Sequence, residues 1–246
     1  MQQLEKLYRF DYQGEHIVTE MRHTNSHWEY TREFVPNPVT NTHTSNQAVV
    51  IGNGSTRKGF DLTPVKLHKG GLLASNALQS YGCNASYRDL ESHFLVVSSD
   101  VMAHELATNG YCDNHIVYAN SEIVLKYPGR FYLIPQDVQF NAGAVATYMA
   151  CFDGHKKVFL LGFDAEDGPF EDNVYIGSNG YASQAQSNFN TSAYYTKSLL
   201  QIMNLYSDVD FVRVMPSEYS YMPEEWKYVP NLRQITYRDF VLEADL

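Results

Sequence analysis

No run of apolar residues in this chain approaches the roughly 18 to 20 needed to cross a bilayer. The opening 1-MQQLEKLYRF-10 also lacks the apolar core of a secretory signal, so the expectation is a soluble, cytoplasmic protein with no membrane span. Cations are scarce: 18 Lys and Arg stand against 28 Asp and Glu, a formal net charge of −10. A non-specific nucleic-acid binder needs a basic face, so no nucleic-acid partner is expected. The three cysteines, Cys83, Cys112 and Cys151, are odd in number and have no C-x-x-C spacing. They read as reduced thiols rather than a disulfide framework or a zinc site. Two familiar nucleotide signatures are missing too. The pattern G-x-G-x-x-G fails because Gly52 and Gly54 are followed by Arg57, and no Gly-Lys-Ser/Thr closes a P-loop. An ordinary NAD or ATP site is not supported.

What is present points to a folded α/β chain. At 246 residues it can bury a substantial core. Its 19 tyrosines suit a tyrosine-rich surface or cleft and argue against disorder. His16, His23, His27 and His43 crowd the first 43 residues, but 23-HTNSHWEY-30 is rich in turn formers. No metal site is assigned there.

Residues 6–23 alternate apolar and polar side chains around a turn near 12-YQGE-15, which reads as a β-hairpin. The stretch 34-FVPNPVTNTHTSNQ-47 reads as a linker or extended arm. From Ala48 onward strand patterns recur at 48–51, 71–76, 94–99, 114–119, 130–135, 157–163 and 210–216. Helical spacing fills 143–154 and 191–207. Strands alternating with helices predict a Rossmann-like, mostly parallel sheet with helices on both faces. The domain organisation read from this is an N-terminal β-hairpin arm and linker over 1–46, then a nucleotide-binding domain over 47–246. An oligomer is expected, because the tyrosine-rich arm needs a surface to pack on.

The most informative stretch is 47-QAVVIGNGSTRKGFDL-62. The β-branched run Val49-Val50-Ile51 suits a strand buried on both faces, and Gly52-Asn53-Gly54 follows without a spacer. Glycines there let the backbone turn sharply or approach a ligand, and Ser55 and Thr56 can cap a following helix whose N–H groups would hold an anion. Plain connection chemistry is the alternative. Other strand ends are also small or polar: Ser75-Asn76, Ser98-Ser99-Asp100 and Gly162-Phe163-Asp164. In parallel sheets ligands sit at such ends.

The order 49-VVIGNGST-56, 73-LASN-76, 94-FLVVSSD-100 and 141-NAGAVATYMACFDGHKKVFLLGFD-164 resembles the small bacterial sialyltransferases. It is also similar to a wider group that includes the archaeal-type 6-hydroxymethylpterin pyrophosphokinases and flagellin-glycosylation accessory proteins. The ending 216-PSEYSYMPEEWKYVPNLRQITYRDFV-241 is similar to the tail of that wider group. The resemblance covers roughly residues 47 to 241. It implies a Rossmann-like fold and transfer from a nucleotide sugar, CMP-linked in the sialyltransferases, to a small-molecule or glycan acceptor. Residue by residue it implies nucleotide contacts at Gly52, Asn53, Gly54, Ser55, Asn76, Ser98, Asp100, Asn141 and Gly143. Asp164 and Glu166 are implied to face the reacting centre, and Tyr175 and Tyr181 the leaving phosphate.

Two departures stand out. Ser55 replaces the family's proline after the glycine turn, and no histidine follows Asp164 to serve as general base. Asp164, Glu166 and Asp167 are the alternatives. The wider group implies a second reading, Mg²⁺-dependent pyrophosphoryl transfer to a small heterocycle, for which Asp100, Asp164, Glu166 and Asp167 offer hard oxygen ligands. A third is a non-catalytic binding or assembly protein. The segment 173–195, poor in charge and rich in Asn, Ser and Tyr, reads as an acceptor-binding lid or a polar surface loop.

Overall fold

The computed structural model describes residues 3–10, 15–24, 27–36, 45–67, 78–164, 173–181 and 189–246. Two sheets form. The first is antiparallel with three strands, β1 (Gln3–Phe10), β2 (Glu15–Thr24) and β3 (His27–Pro36), in the order β1-β2-β3. The expected hairpin is β1–β2, paired from Gln3↔His23 to Phe10↔His16. The expected linker begins later than read, because Phe34, Val35 and Pro36 belong to β3, paired with β2. Pro36 is tolerated there as the last residue of an edge strand.

The second sheet is parallel throughout. Its strands are β4 (Gln47–Ile51), β5 (Gln79–Cys83), β6 (Phe94–Val97), β7 (Ile116–Ala119), β8 (Tyr132–Leu133), β9 (Lys157–Leu161), β10 (Asp210–Met215) and β11 (Leu232–Thr236). The order is β11-β10-β9-β4-β5-β6-β7-β8. Edge strand β8 has only two residues, and β1 of the first sheet runs beside it. A short, covered edge limits unwanted pairing.

Helices α1 (Thr63–Leu67), α2 (Asp100–Thr108), α3 (Ser121–Lys126), α4 (Ala142–Phe152), α5 (Phe189–Leu205) and α6 (Tyr237–Glu243) complete the chain. Strand alternation sends Ala48, Val50, Val158, Leu160 and Phe211 to one face, against α4 and α5. The opposite residues Val49, Ile51, Phe159, Leu161 and Val212 meet Val65 of α1 and Phe240 of α6. Farther along, α2 and α3 cover Leu95, Val97 and Val117. The result is the helices-on-both-faces α/β fold that the strand spacing predicted.

Helix α4 carries no charge and is buried nearly all round, because it lies between the sheet and α5. A helix apolar on every side belongs in the interior. It leads from the edge strand β8 back to β9 at the sheet centre, so its N-terminus lies at the carboxyl ends of the strands.

The strand expected at 71–76 lies outside the described residues; among the described residues the strand that pairs with β4 on that side is β5. The sequence QSYGC conceals a wholly buried strand because its polar groups are satisfied inside. Ser80 Oγ lies 3.0 Å from His93 Nδ1, and Tyr81 donates to Asp153 at 2.6 Å. Asn84 directly follows this strand.

Candidate functional site

The chain builds β4 to β8 outward in one direction, then returns to place β9 on the other side of β4. The order reverses between β4 and β9, and in open parallel sheets the crevice at such a reversal receives ligands. The two loops that leave these strands are Gly52-Asn53-Gly54 and Gly162-Phe163-Asp164.

These loops continue the ladder beyond the strands. Gly52 N donates to Leu161 O at 2.8 Å and Gly54 N to Gly162 O at 2.9 Å. A Cβ on Gly52 would stand 2.4 Å from Gly162 O, and one on Gly54 would stand 2.3 Å from Asp164 Oδ1. Gly54 has φ −61°, a conformation open to any residue. Glycine is required there by space, and the close neighbour is the second loop.

Asp164 explains that closeness. Its carboxylate accepts from the Thr56 backbone N–H at 3.1 Å, from Ser55 Oγ at 3.3 Å and from Thr56 Oγ1. Burial pushes its carboxyl above the usual carboxylate range, opposed by these hydrogen bonds and by the charge of Arg213. Arg213, fully buried on β10, donates from Nε to Phe163 O at 2.8 Å and from Nη2 to Asp164 O. A buried guanidinium thus holds the β9 loop by its carbonyls, an arrangement that Arg213 inside DFVRVM does not signal.

Around the crevice stand polar groups from four elements. Asn53 Nδ2 donates to Tyr181 OH at 2.9 Å, and Ala85 N donates to the same oxygen at 3.4 Å. One tyrosine hydroxyl therefore joins the ends of β4 and β5. Asn84, in the left-handed region at φ 44°, accepts from Ser98 N at 3.1 Å and joins β5 to β6. Asn141 caps α4, accepting from Ala144 N at 3.0 Å. The N–H groups of Ala142 and Gly143, in the first turn of this 11-residue helix, have no intrahelical carbonyl to pair with. The Phe163 ring lies between helix and turn: a Cβ on Gly52 would be 3.1 Å from it, and one on Gly143 3.3 Å.

Two buried atoms here, Asn53 Oδ1 and Asn141 Nδ2, have no hydrogen-bond partner among the described residues. An unpaired buried polar group costs about 1–3 kcal/mol. One is an acceptor on the turn and the other a donor on the helix cap, both at the reversal of strand order.

The segment 173–181 packs over the same strand ends. Val174 N donates to Asn53 O at 2.8 Å. Arg88 reaches Ser178 Oγ at 3.0 Å, and Asn179 Nδ2 reaches Glu105 Oε2 at 2.5 Å. So many ties fix this part of the expected lid in place. Tyr175 is buried beneath it, its hydroxyl donating to Asp89 at 2.6 Å and accepting from Arg57 at 2.6 Å. Burial pushes its phenol above the ordinary tyrosine range.

The predicted residues thus divide. Gly52, Asn53, Gly54, Ser55, Asp164, Asn141 and Gly143 come together at the reversal. Ser98 is exposed one strand beyond Asn84. Asp100 is exposed at the start of α2 and pairs with Lys126 at 3.2 Å. Glu166, Asp167 and Asn76 lie outside the described residues. Among the described residues no three His, Cys, Asp or Glu side chains gather as a metal set. His155, the last histidine in the chain, is fully buried at the opposite end of the sheet, bonded to Ser45 O at 2.9 Å. Asn84 is not among the expected site residues; the signal for it is a polar residue directly after 79-QSYGC-83.

No protein-family model matches the chain, and no curated protein matches it. Among solved structures, the chain is similar to the sialyltransferase CST-II, crystallised in complex with CMP. The two share 14% identity, with 75% of this chain and 87% of that chain covered and a TM-score of 0.48. It is a likeness of chain path. No helix among the described residues is long and apolar enough to cross a membrane.

Proposed function

We propose that the crevice between β4 and β9 binds a nucleotide, and that the protein transfers a group from it, as a glycosyltransferase using a nucleotide sugar. The observation that carries this reading is the pair of unpartnered buried atoms, Asn53 Oδ1 and Asn141 Nδ2, beside the N-terminus of α4. The helix end offers N–H groups and a partial positive charge to phosphate. Of the cations at these loops, Arg57 is engaged by Asp89 and Tyr175 and Arg213 by the β9-loop carbonyls, so the backbone and amides supply most of the binding. Asn84 and Ser98, at the next two strand ends, extend the polar row toward the ribose and base.

The finer assignment to a CMP-linked sugar is supported by the motif resemblance of the glycine turn. Tyr181, set at the ends of β4 and β5 by Asn53 and Ala85, is the tyrosine proposed to meet the leaving phosphate, because Tyr175 is buried with its hydroxyl proton donated to Asp89. Asp164 is proposed as proton acceptor. Burial raises its basicity and Ser55 and Thr56 fix its orientation, and a base tuned toward neutral pH is the more effective one. Glu166, two residues on, is the alternative.

A thermal-shift panel of CMP, CDP, UDP, GDP, ATP and AMP, each with and without Mg²⁺, tests the reading. A ligand at 100 times its Kd stabilises by about 2.7 kcal/mol. Stabilisation by CMP without metal is expected. A shift with ATP that requires Mg²⁺ would transfer the assignment to pyrophosphoryl transfer, and silence throughout would leave the glycine turn as connection chemistry.

A further inference from the structure

The loop after β10 carries an exposed aromatic pair that the proposed nucleotide site does not use. Tyr219 is 88% exposed and Tyr221 43% exposed. Single exposed tyrosines are ordinary. Here the turn that carries them is fixed from below by two adjacent strands. Arg213 Nη1 donates to Tyr221 O at 2.5 Å, and Gln234 Nε2 donates to Ser220 O at 3.0 Å. Ser217 closes the turn, accepting from Ser220 N at 3.1 Å and from Tyr219 N at 3.2 Å.

The position of this turn gives it a use. The same guanidinium that holds Tyr221 O through Nη1 holds Asp164 O through Nη2. The aromatic turn therefore borders the β9 loop on the β10 side, while Asn53, Asn84 and Ser98 extend away on the β5 and β6 side. Asp164 lies between the two. We propose that Tyr219 and Tyr221 form the acceptor subsite, a platform for a neutral sugar ring; this rests on the transferase reading above. A fixed tyrosine offers an apolar face and a hydroxyl at little ordering cost, which suits the C–H face and hydroxyls of a sugar. Glu218, exposed between Ser217 and Tyr219, adds an acceptor for sugar hydroxyls and disfavours an anionic ligand.

Saturation-transfer NMR with methyl β-galactoside, methyl β-lactoside and maltose, in the presence of CMP, tests this. The proteins are the wild type, Tyr219→Ala, Tyr219→Phe and Tyr228→Ala, the last removing an exposed tyrosine that bonds Glu224. The expected result is transfer to at least one sugar, about fivefold weaker in Tyr219→Ala and retained in Tyr219→Phe and Tyr228→Ala. CMP-induced thermal stabilisation should be equal in all four. No transfer in the wild type, or equal transfer in Tyr219→Ala, overturns the subsite. Loss of self-association in Tyr219→Ala without any sugar signal reassigns the patch to a second copy of the chain and also overturns it. Absence of the CMP shift, with Tyr219-dependent sugar transfer intact, sinks the nucleotide reading and leaves the sugar platform standing.

Discussion

Gly54→Ala is the substitution from which most can be learned. The backbone there has φ −61°, so alanine meets no conformational penalty. Yet its Cβ would fall 2.3, 2.4 and 2.7 Å from Asp164 Oδ1, Cγ and Oδ2. All three atoms belong to the carboxylate that accepts from Ser55 and Thr56. Overpacking a tight site costs about 1–3 kcal/mol, and each hydrogen bond to a charged group contributes roughly 1.5–3 kcal/mol. Displacing the carboxylate should therefore destabilise by about 2–4 kcal/mol. Asp164→Ala alone should cost a similar amount, because it leaves the Thr56 N–H without its acceptor. In the double variant the clash has no atoms to act on. Urea unfolding of the four proteins should then give a coupling of about 1.5–3 kcal/mol, the double variant being hardly worse than either single one. Simple additivity would refute the claim that glycine is kept at 54 to admit the Asp164 carboxylate.

Other consequences are quickly checked. Asn141→Ala removes the α4 cap and should lower stability by about 1 kcal/mol in urea unfolding while weakening nucleotide binding; normal stability would contradict the cap. Arg213→Met should destabilise by about 2–5 kcal/mol, since it strands the carbonyls of Phe163, Asp164 and Tyr221; a loss under 1 kcal/mol would show that Arg213 does not hold the β9 loop. Burial pushes the Asp153 carboxyl from 3.8 to about 7 in the folded state. The folded protein therefore binds an extra proton between those values, and this contribution to stability, full below pH 4, falls away as pH rises to about 7, by roughly 4 kcal/mol at most. Asp153→Asn should flatten the corresponding slope in urea unfolding between pH 4 and pH 8, and an unchanged slope would exclude Asp153 as its source.

Much of this was legible in the chain, for reasons that also explain the failures. The run Val49-Val50-Ile51 and the charge-free α4 announce themselves because elements buried on all sides must be apolar throughout. Strand β5 did not, because Gln79, Ser80 and Tyr81 settle their polar groups through His155, His93 and Asp153, residues distant in sequence. Strand β3 was partly read as linker because Pro36 is a breaker that an edge strand tolerates. At the site, the glycine turn and the Asn141 cap are local motifs and could be read. The grip of Asp164 on Thr56 spans 108 residues of sequence, and the hold of Arg213 on Asp164 spans 49. Such pairings exist only after the sheet has brought β4, β9 and β10 together.

The central claim is that the β4–β9 crevice holds a nucleotide, with its phosphate at the N-terminus of α4 and one of its hydroxyl or amino donors at Asn53 Oδ1. Calorimetric titration of CMP into the wild type and Asn53→Asp tests it most directly. The substitution is nearly isosteric, and Tyr181 OH can still bond to the new carboxylate, so the fold should persist while a negative charge faces the anion. The account predicts metal-independent binding to the wild type and affinity weakened about tenfold or more in Asn53→Asp, a difference of at least about 1.4 kcal/mol. Equal affinity in the two proteins would place the nucleotide elsewhere and contradict the account.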